Sequence, residues 1–143
     1  KATITPSVAL VRALRPALSA ITRNVAGRTA LMAQLSARPW ALDPAFVARE
    51  LKSLADTRTV NSLVKDLANG AMQEGPAKTA GPVVIGWGRK DRLCLPQQAD
   101  RAMKAFPGAT LHWFERSGHF PMWDRPEETV RVILDATSGS GLR

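Results

Sequence analysis

Residues 81–126 read GPVVIGWGRKDRLCLPQQADRAMKAFPGATLHWFERSGHFPMWDRP, and this stretch decides the fold. Two short apolar runs stand in it, Val83-Val84-Ile85 and Leu111 to Phe114, with a helical pattern between them. A strand, a crossover helix and a second strand imply two neighbouring parallel strands. Each run ends in a polar loop, and each loop carries one residue able to do chemistry: Asp91 in the first, His119 in the second. Ligands of parallel sheets bind beyond the carboxyl ends of the strands, so both residues are expected at one edge of the sheet. There a carboxylate fixes the tautomer of an imidazole and stabilises the imidazolium formed when the ring takes a proton.

The glycine contexts sharpen this reading. Gly88 to Asp91 form G-x-x-D, and Gly118-His119-Phe120-Pro121 form G-H-x-P. The segment thereby resembles the C-terminal part of an α/β-hydrolase, in which the acid follows the penultimate core strand and the histidine follows the last. The chain order, acid before histidine, fits that family too. Family members often carry Glu-x-Pro after the histidine; here Asp124-Arg125-Pro126 stands in its place. The resemblance implies an α/β fold, with parallel strands and crossover helices over residues 76–143. It also implies a helical cap over residues 1–75. The implied activity is hydrolysis of an ester or related acyl substrate, with His119 as general base and acid and Asp91 orienting it. It implies no cofactor, and a small-molecule substrate.

The nucleophile elbow G-x-S-x-G is not found, nor is an HGGG-type oxyanion segment. Ser117 and Ser140 both lack the elbow context. The chain is therefore expected to be the second half of an enzyme. The nucleophile (Ser, Asp or Cys) would come from the missing N-terminal half, and the partner would be that half or a second copy of the chain. The start at Lys1, with no Met, is read as a sign of truncation, processing or unobserved upstream residues. The alternative is a truncated, inactive hydrolase-like module for binding or assembly, because two strands alone leave exposed edges that invite a partner.

Composition bounds these readings. The chain has 143 residues and 45% hydrophobic content, which suits a globular domain. No apolar run approaches the roughly 18 residues of a membrane span. No signal-peptide pattern opens the chain. A single cysteine, Cys94, excludes an internal disulfide and favours a reducing, cytoplasmic setting. The net charge of +8 raises the question of nucleic acid, but the arginines are scattered and no reading motif accompanies them. The second glycine of Gly86-x-Gly88 is not followed by a third, and Asp91 occupies the loop, so a dinucleotide site is not expected. Two histidines, one cysteine and no H-x-x-x-H or C-x-x-C spacing predict no metal site.

Taken in order, residues 1–6 read as a loop. Val11, Leu14, Leu18 and Ile21 then lie on one helical face, interrupted at Pro16. Gly27 is a plausible break, followed by a short helix through Leu31 and Leu35. Asp43 before Pro44 predicts an N-cap and a helix with Val47, Leu51 and Leu54 inward. Asp56 or Thr57 is the expected cap of the next helix, whose face is Val60, Leu63, Val64 and Leu67 and whose end is Asn69-Gly70. Residues 71–81 read as a linker. The unbroken apolar strand Val83–Trp87 predicts cover on both faces. Pro96 opens a helix with Ala99, Ala102, Met103 and Phe106 inward, and Pro107-Gly108 turns into the last strand. A final helix from Pro126 carries Glu127 and Glu128 in its first turn and Val130, Ile133 and Leu134 inward. Ser138 to Gly141 read as a flexible tail. Leu93, Phe120, Met122 and Trp123 flank the acid and histidine and are the candidate lining of an apolar substrate pocket. His112, inside the last strand, is expected to be structural. Asp124 is expected at the start of the last helix; the minor alternative is that it, and not Asp91, is the acid.

Overall fold

The computed structural model describes residues 4–70 and 81–138. The linker expected over residues 71–81 lies outside these apart from Gly81, and the tail lies outside them apart from Ser138. The chain divides into two compact units: the described residues of Lys1–Ala30 with Trp40–Met72, and those of Leu31–Pro39 with Gln73–Arg143. Residues 31–39, read from sequence as part of the helical region, thus group with the strand-bearing segment.

The first unit is helical. Helix α1 spans Ile4–Ala13, so the loop expected over residues 1–6 gives way to helix from Ile4. A 3-10 turn at Arg15–Ala17 follows, with Pro16 in its first turn, where the missing N–H costs nothing. Helix α2 spans Leu18–Arg23 and α3 spans Val25–Met32. The expected break at Gly27 is displaced to Asn24. The Asn24 side chain accepts from the N–H groups of Ala26 (2.8 Å) and Gly27 (3.2 Å), capping α3. Gly27 lies inside the helix, and a Cβ there would press on the Ile21 carbonyl. Leu35 falls in the turn after α3. Buried Arg28 donates to Thr22 O (2.6 Å) and Arg23 O (3.4 Å) at the end of α2, and to Trp40 O (3.0 Å). A cation on the last carbonyls of a helix satisfies acceptors that have no partner within it.

Helix α4 spans Pro44–Asp56, and Asp43 caps it by accepting from Phe46 N at 2.7 Å, as the sequence predicts. Its buried face is Val47, Ala48, Leu51 and Ala55, whereas Leu54 is half-buried. Helix α5 spans Val60–Asn69 with Thr59 in front of it. The caps expected at Asp56 and Thr57 are engaged elsewhere. Asp56 takes both nitrogens of a bidentate pair with Arg15, and Thr57 closes α4. Val60 is buried, but Leu63 is 56% exposed. Val8, Val11, Leu18, Val47 and Leu51 form the apolar centre of this unit.

In the second unit, β1 (Val84–Gly88) and β2 (Thr110–Phe114) pair in parallel, Val84 opposite Thr110 through Gly88 opposite Phe114. The crossover contains a 3-10 turn at Pro96–Gln98 and helix α6, Ala99–Ala105. Ala99 is fully buried. Helix α7 is a single turn at Pro121–Asp124, and α8 spans Pro126–Thr137. Two expectations differ here. Val84, Ile85 and Trp87 are half-buried rather than covered on both faces, because among the described residues β1 has one neighbouring strand. Val130, Ile133 and Leu134 of α8 are 53–58% exposed instead of inward, since nothing described packs on that face. No described helix is long and apolar enough to cross a membrane.

Candidate active site

The two strands end side by side, and the loops leaving them are tied by backbone bonds. Arg89 N donates to Phe114 O at 3.1 Å, and Lys90 N donates to Ser117 O at 2.9 Å. This close passage explains Gly88, and the approach of residues 35–37 explains Gly118. A Cβ on Gly88 would overlap the Gly118 carbonyl oxygen and lie 2.6 Å from the Ser117 oxygen. A Cβ on Gly118 would lie 2.8–2.9 Å from backbone atoms of Leu35, Ser36 and Ala37. Neither glycine has a positive φ. Both are needed for space, since separations below about 3.0 Å leave no room for a methyl group.

Asp91 and His119 meet at this edge. Asp91 is 6% exposed. Its Oδ1 accepts from Leu93 N (2.8 Å) and Cys94 N (2.9 Å), which fixes the carboxylate in the turn it starts. Its Oδ2 lies 2.9 Å from His119 Nδ1. The imidazole is about one-quarter exposed, so Nδ1 meets the carboxylate while the side chain keeps access to solvent. One carboxylate oxygen therefore holds the loop and the other holds the ring. Cys94, in the same turn, is half-buried, and its carbonyl accepts from Trp87 Nε1 at 3.0 Å. Burial raises the Cys94 thiol above its usual value, and the negative charge of Asp91 adds to this.

The expected pocket-lining residues are placed unevenly. The Phe120 ring stands edge-on to His119 at 4.8 Å, and Trp123 lies 4.2 Å from Phe120. Leu93 is half-buried and reaches Asp91 through its backbone. Met122 is 52% exposed. A groove of about 530 Å³ lies in the first unit, lined in part by Arg23, Pro44, Ala48, Arg49 and Lys52, none of them an expected site residue.

His112 is apart from the site. Its Nε2 lies 3.1 Å from Glu128 Oε1, and its ring packs edge-on against Phe114 at 4.6 Å.

Asp124 is the residue whose role sequence reasoning missed. It ends α7 instead of starting α8, and it is 7% exposed. Its Oδ1 accepts from Ser36 Oγ (2.5 Å), and its Oδ2 accepts from Ala37 N (2.8 Å) and Gly118 N (2.7 Å). Phe120 N adds a bond to Leu35 O at 3.2 Å. Asp124 thus fastens the histidine loop to residues 35–37, and it does not contact His119 through any of these bonds. The one signal in the sequence was its position five residues after His119, where the family more often has Glu.

The arrangement is suited to proton transfer. A buried carboxylate holds one nitrogen of an imidazole, leaving the other to take and give a proton. Comparison with known proteins gives the family. Residues 2–132 match the alpha/beta hydrolase family. The chain belongs to that family. Over 98 residues it is 31% identical to a 2-hydroxy-6-oxononadienedioate/2-hydroxy-6-oxononatrienedioate hydrolase of Paraburkholderia xenovorans (strain LB400), covering 65% of this chain and 34% of the relative. A hydrolase 1 of the same description from Dechloromonas aromatica (strain RCB) is 32% identical over 81 residues, 53% of this chain and 28% of the relative. A hydrolase 2 from Pseudomonas putida is 34% identical over 59 residues, 41% of this chain and 21% of the relative. The chain spans between about a fifth and a third of the length of these relatives.

Proposed function

We propose that this chain supplies the acid and the histidine of a hydrolase that cleaves at a carbonyl carbon. His119 takes the proton of the attacking group and passes it to the leaving group; Asp91 orients the ring and stabilises its charged form. The 2.9 Å contact between His119 Nδ1 and Asp91 Oδ2 is the observation that carries this reading. The nucleophile and oxyanion donors come from a part of the enzyme beyond this chain. Two facts support that: no serine here stands in G-x-S-x-G, and the relatives are three to five times as long as the matched segment. Esters and related acyl compounds are the first substrate class. The relatives named above act on oxo-dienedioates, so a keto-acid with its reacting carbonyl is the second class to assay.

The test is made on the whole polypeptide that contains this chain. Turnover of a panel of esters and keto-diacids should be abolished by His119→Ala and lowered by Asp91→Asn, on the order of 10⁴-fold in the best-known triad. Full turnover by the His119→Ala enzyme would sink the proposal. The isolated chain should show no esterase activity, since a proton relay gains nothing without a nucleophile.

A further inference from the structure

Asp91, Cys94 and His119 each bring a potential ligand atom to one place, and these atoms all lie within 4.8 Å of one another. The grouping is built into the turn. Asp91 Oδ1 accepts from the N–H of Cys94, which holds the cysteine beside the carboxylate. Asp91 Oδ2 is engaged only by His119 in the bonds described above. The carboxylate is buried, Cys94 is half-buried, and the His119 side chain is about one-quarter exposed.

The donor set is one sulfur, one nitrogen and one oxygen. Metal bonds of about 2.0–2.3 Å in a tetrahedron put neighbouring ligand atoms roughly 3.3–3.8 Å apart. The 2.9 Å between Nδ1 and Oδ2 needs to open a little, and the longest separation of 4.8 Å needs to close by about one ångström, within reach of side-chain rotation. Thiolate and imidazole together select a borderline-soft ion over magnesium or calcium, which want oxygen throughout.

We propose that Asp91, Cys94 and His119 form a binding site for a thiophilic divalent cation, with Zn²⁺ as the reference ion. On binding, the Cys94 S–H bond breaks, its proton goes to solvent, and a sulfur–metal bond forms. The imidazole stays neutral but changes tautomer: the Nδ1 proton leaves to solvent, Nε2 takes one from solvent, and Nδ1 gives its freed lone pair to the ion. The carboxylate exchanges its hydrogen bond to the ring for a bond to the ion. No electron is transferred. Water completes the coordination, because only three protein ligands are present. The ion occupies the same carboxylate and ring that the proposed proton relay uses, so it acts as an inhibitor of the enzyme. That consequence rests on the hydrolase reading; the binding itself does not.

The test separates the two. The 143-residue chain is titrated with Co²⁺, an optical stand-in for Zn²⁺. A thiolate-to-cobalt charge-transfer band is expected, saturating at about one ion per chain and erased by Zn²⁺. Cys94→Ser should abolish the band and weaken Zn²⁺ binding, measured against a competing dye, by at least ~10-fold. Cys94→Ala gives a second variant with the same expectation. His119→Ala should weaken binding similarly, and His112→Gln should leave both band and affinity unchanged. Absence of the band, equal affinity in Cys94→Ser, or loss of binding in His112→Gln would overturn the site. In the whole hydrolase, Zn²⁺ should inhibit and Cys94→Ser should relieve the inhibition at least ~10-fold. Binding without inhibition would leave the site standing and count against the relay.

Discussion

Removing the Asp124 carboxylate should loosen the histidine loop at a cost that the structure lets one work out. Its oxygens accept three short bonds, from Ser36 Oγ, Ala37 N and Gly118 N, all at 2.5–2.8 Å, and a long one from Ser117 Oγ at 3.5 Å. Asp124→Ala strands two backbone N–H groups, one of them on buried Gly118, and frees a serine hydroxyl. An abandoned buried donor costs about 1–3 kcal/mol, so the substitution should destabilise by about 3–5 kcal/mol. Asp124→Asn is milder. An amide oxygen in the place of Oδ2 keeps both N–H bonds, though each loses its charge assistance and about half its strength. The amide nitrogen then faces Ser36 Oγ, which already accepts from Arg38 N at 2.9 Å. About 1–2 kcal/mol is expected for the asparagine. Urea unfolding of both variants, with linear extrapolation, measures this. An alanine variant within ~0.5 kcal/mol of the parent, or an asparagine variant as damaged as the alanine, would refute the reasoning.

Three further outcomes follow from the same structure. Gly88→Ala pushes a methyl group into the Gly118 carbonyl, where only backbone can yield; a loss of about 1–3 kcal/mol in urea unfolding is expected, and a neutral result would contradict the close passage. Burial alone would raise the Glu128 carboxyl, but hydrogen bonds from Arg125 and His112 outweigh it and hold the group below its ordinary value. Its stabilisation is therefore present above pH ~4.5 and lost as pH falls from there through the lowered value, so Glu128→Gln should flatten that part of the stability–pH curve; an unchanged acid limb would count against the network. Arg28→Met keeps most of the stem but leaves the carbonyls of Thr22 and Trp40 without their donor, and should cost about 1–3 kcal/mol in thermal or urea unfolding.

What was legible in the sequence was local or topological. Asp43-Pro44 announces its helix because an N-cap acts on a group three residues away. Asp91 and His119 are legible because parallel strands deliver their loops to one edge, whatever the rest of the chain does. The misreadings have a shared cause: their partners are distant or outside the pattern. Asp124 answers to Ser36 and Ala37, nearly ninety residues earlier, and no periodicity reports that. Gly27 looks like a helix end by composition, but the Asn24 side chain sets the helix start and Ile21 requires the glycine. Val130, Ile133 and Leu134 form an apolar face as read, but a pattern states which side wants cover and not whether cover is present. Motif spacing also missed the grouping of Cys94 with Asp91 and His119, because the histidine arrives from another loop.

The central claim is that Asp91 fixes His119 with one nitrogen bound and the other free to move a proton. Long-range proton–nitrogen NMR of the histidine side chains tests it most directly, at a pH where the His119 ring is neutral. The account predicts the tautomer with hydrogen on Nδ1 and a bare Nε2, and a shift of that balance in Asp91→Asn. A neutral ring carrying its hydrogen on Nε2, unchanged by Asp91→Asn, would contradict it.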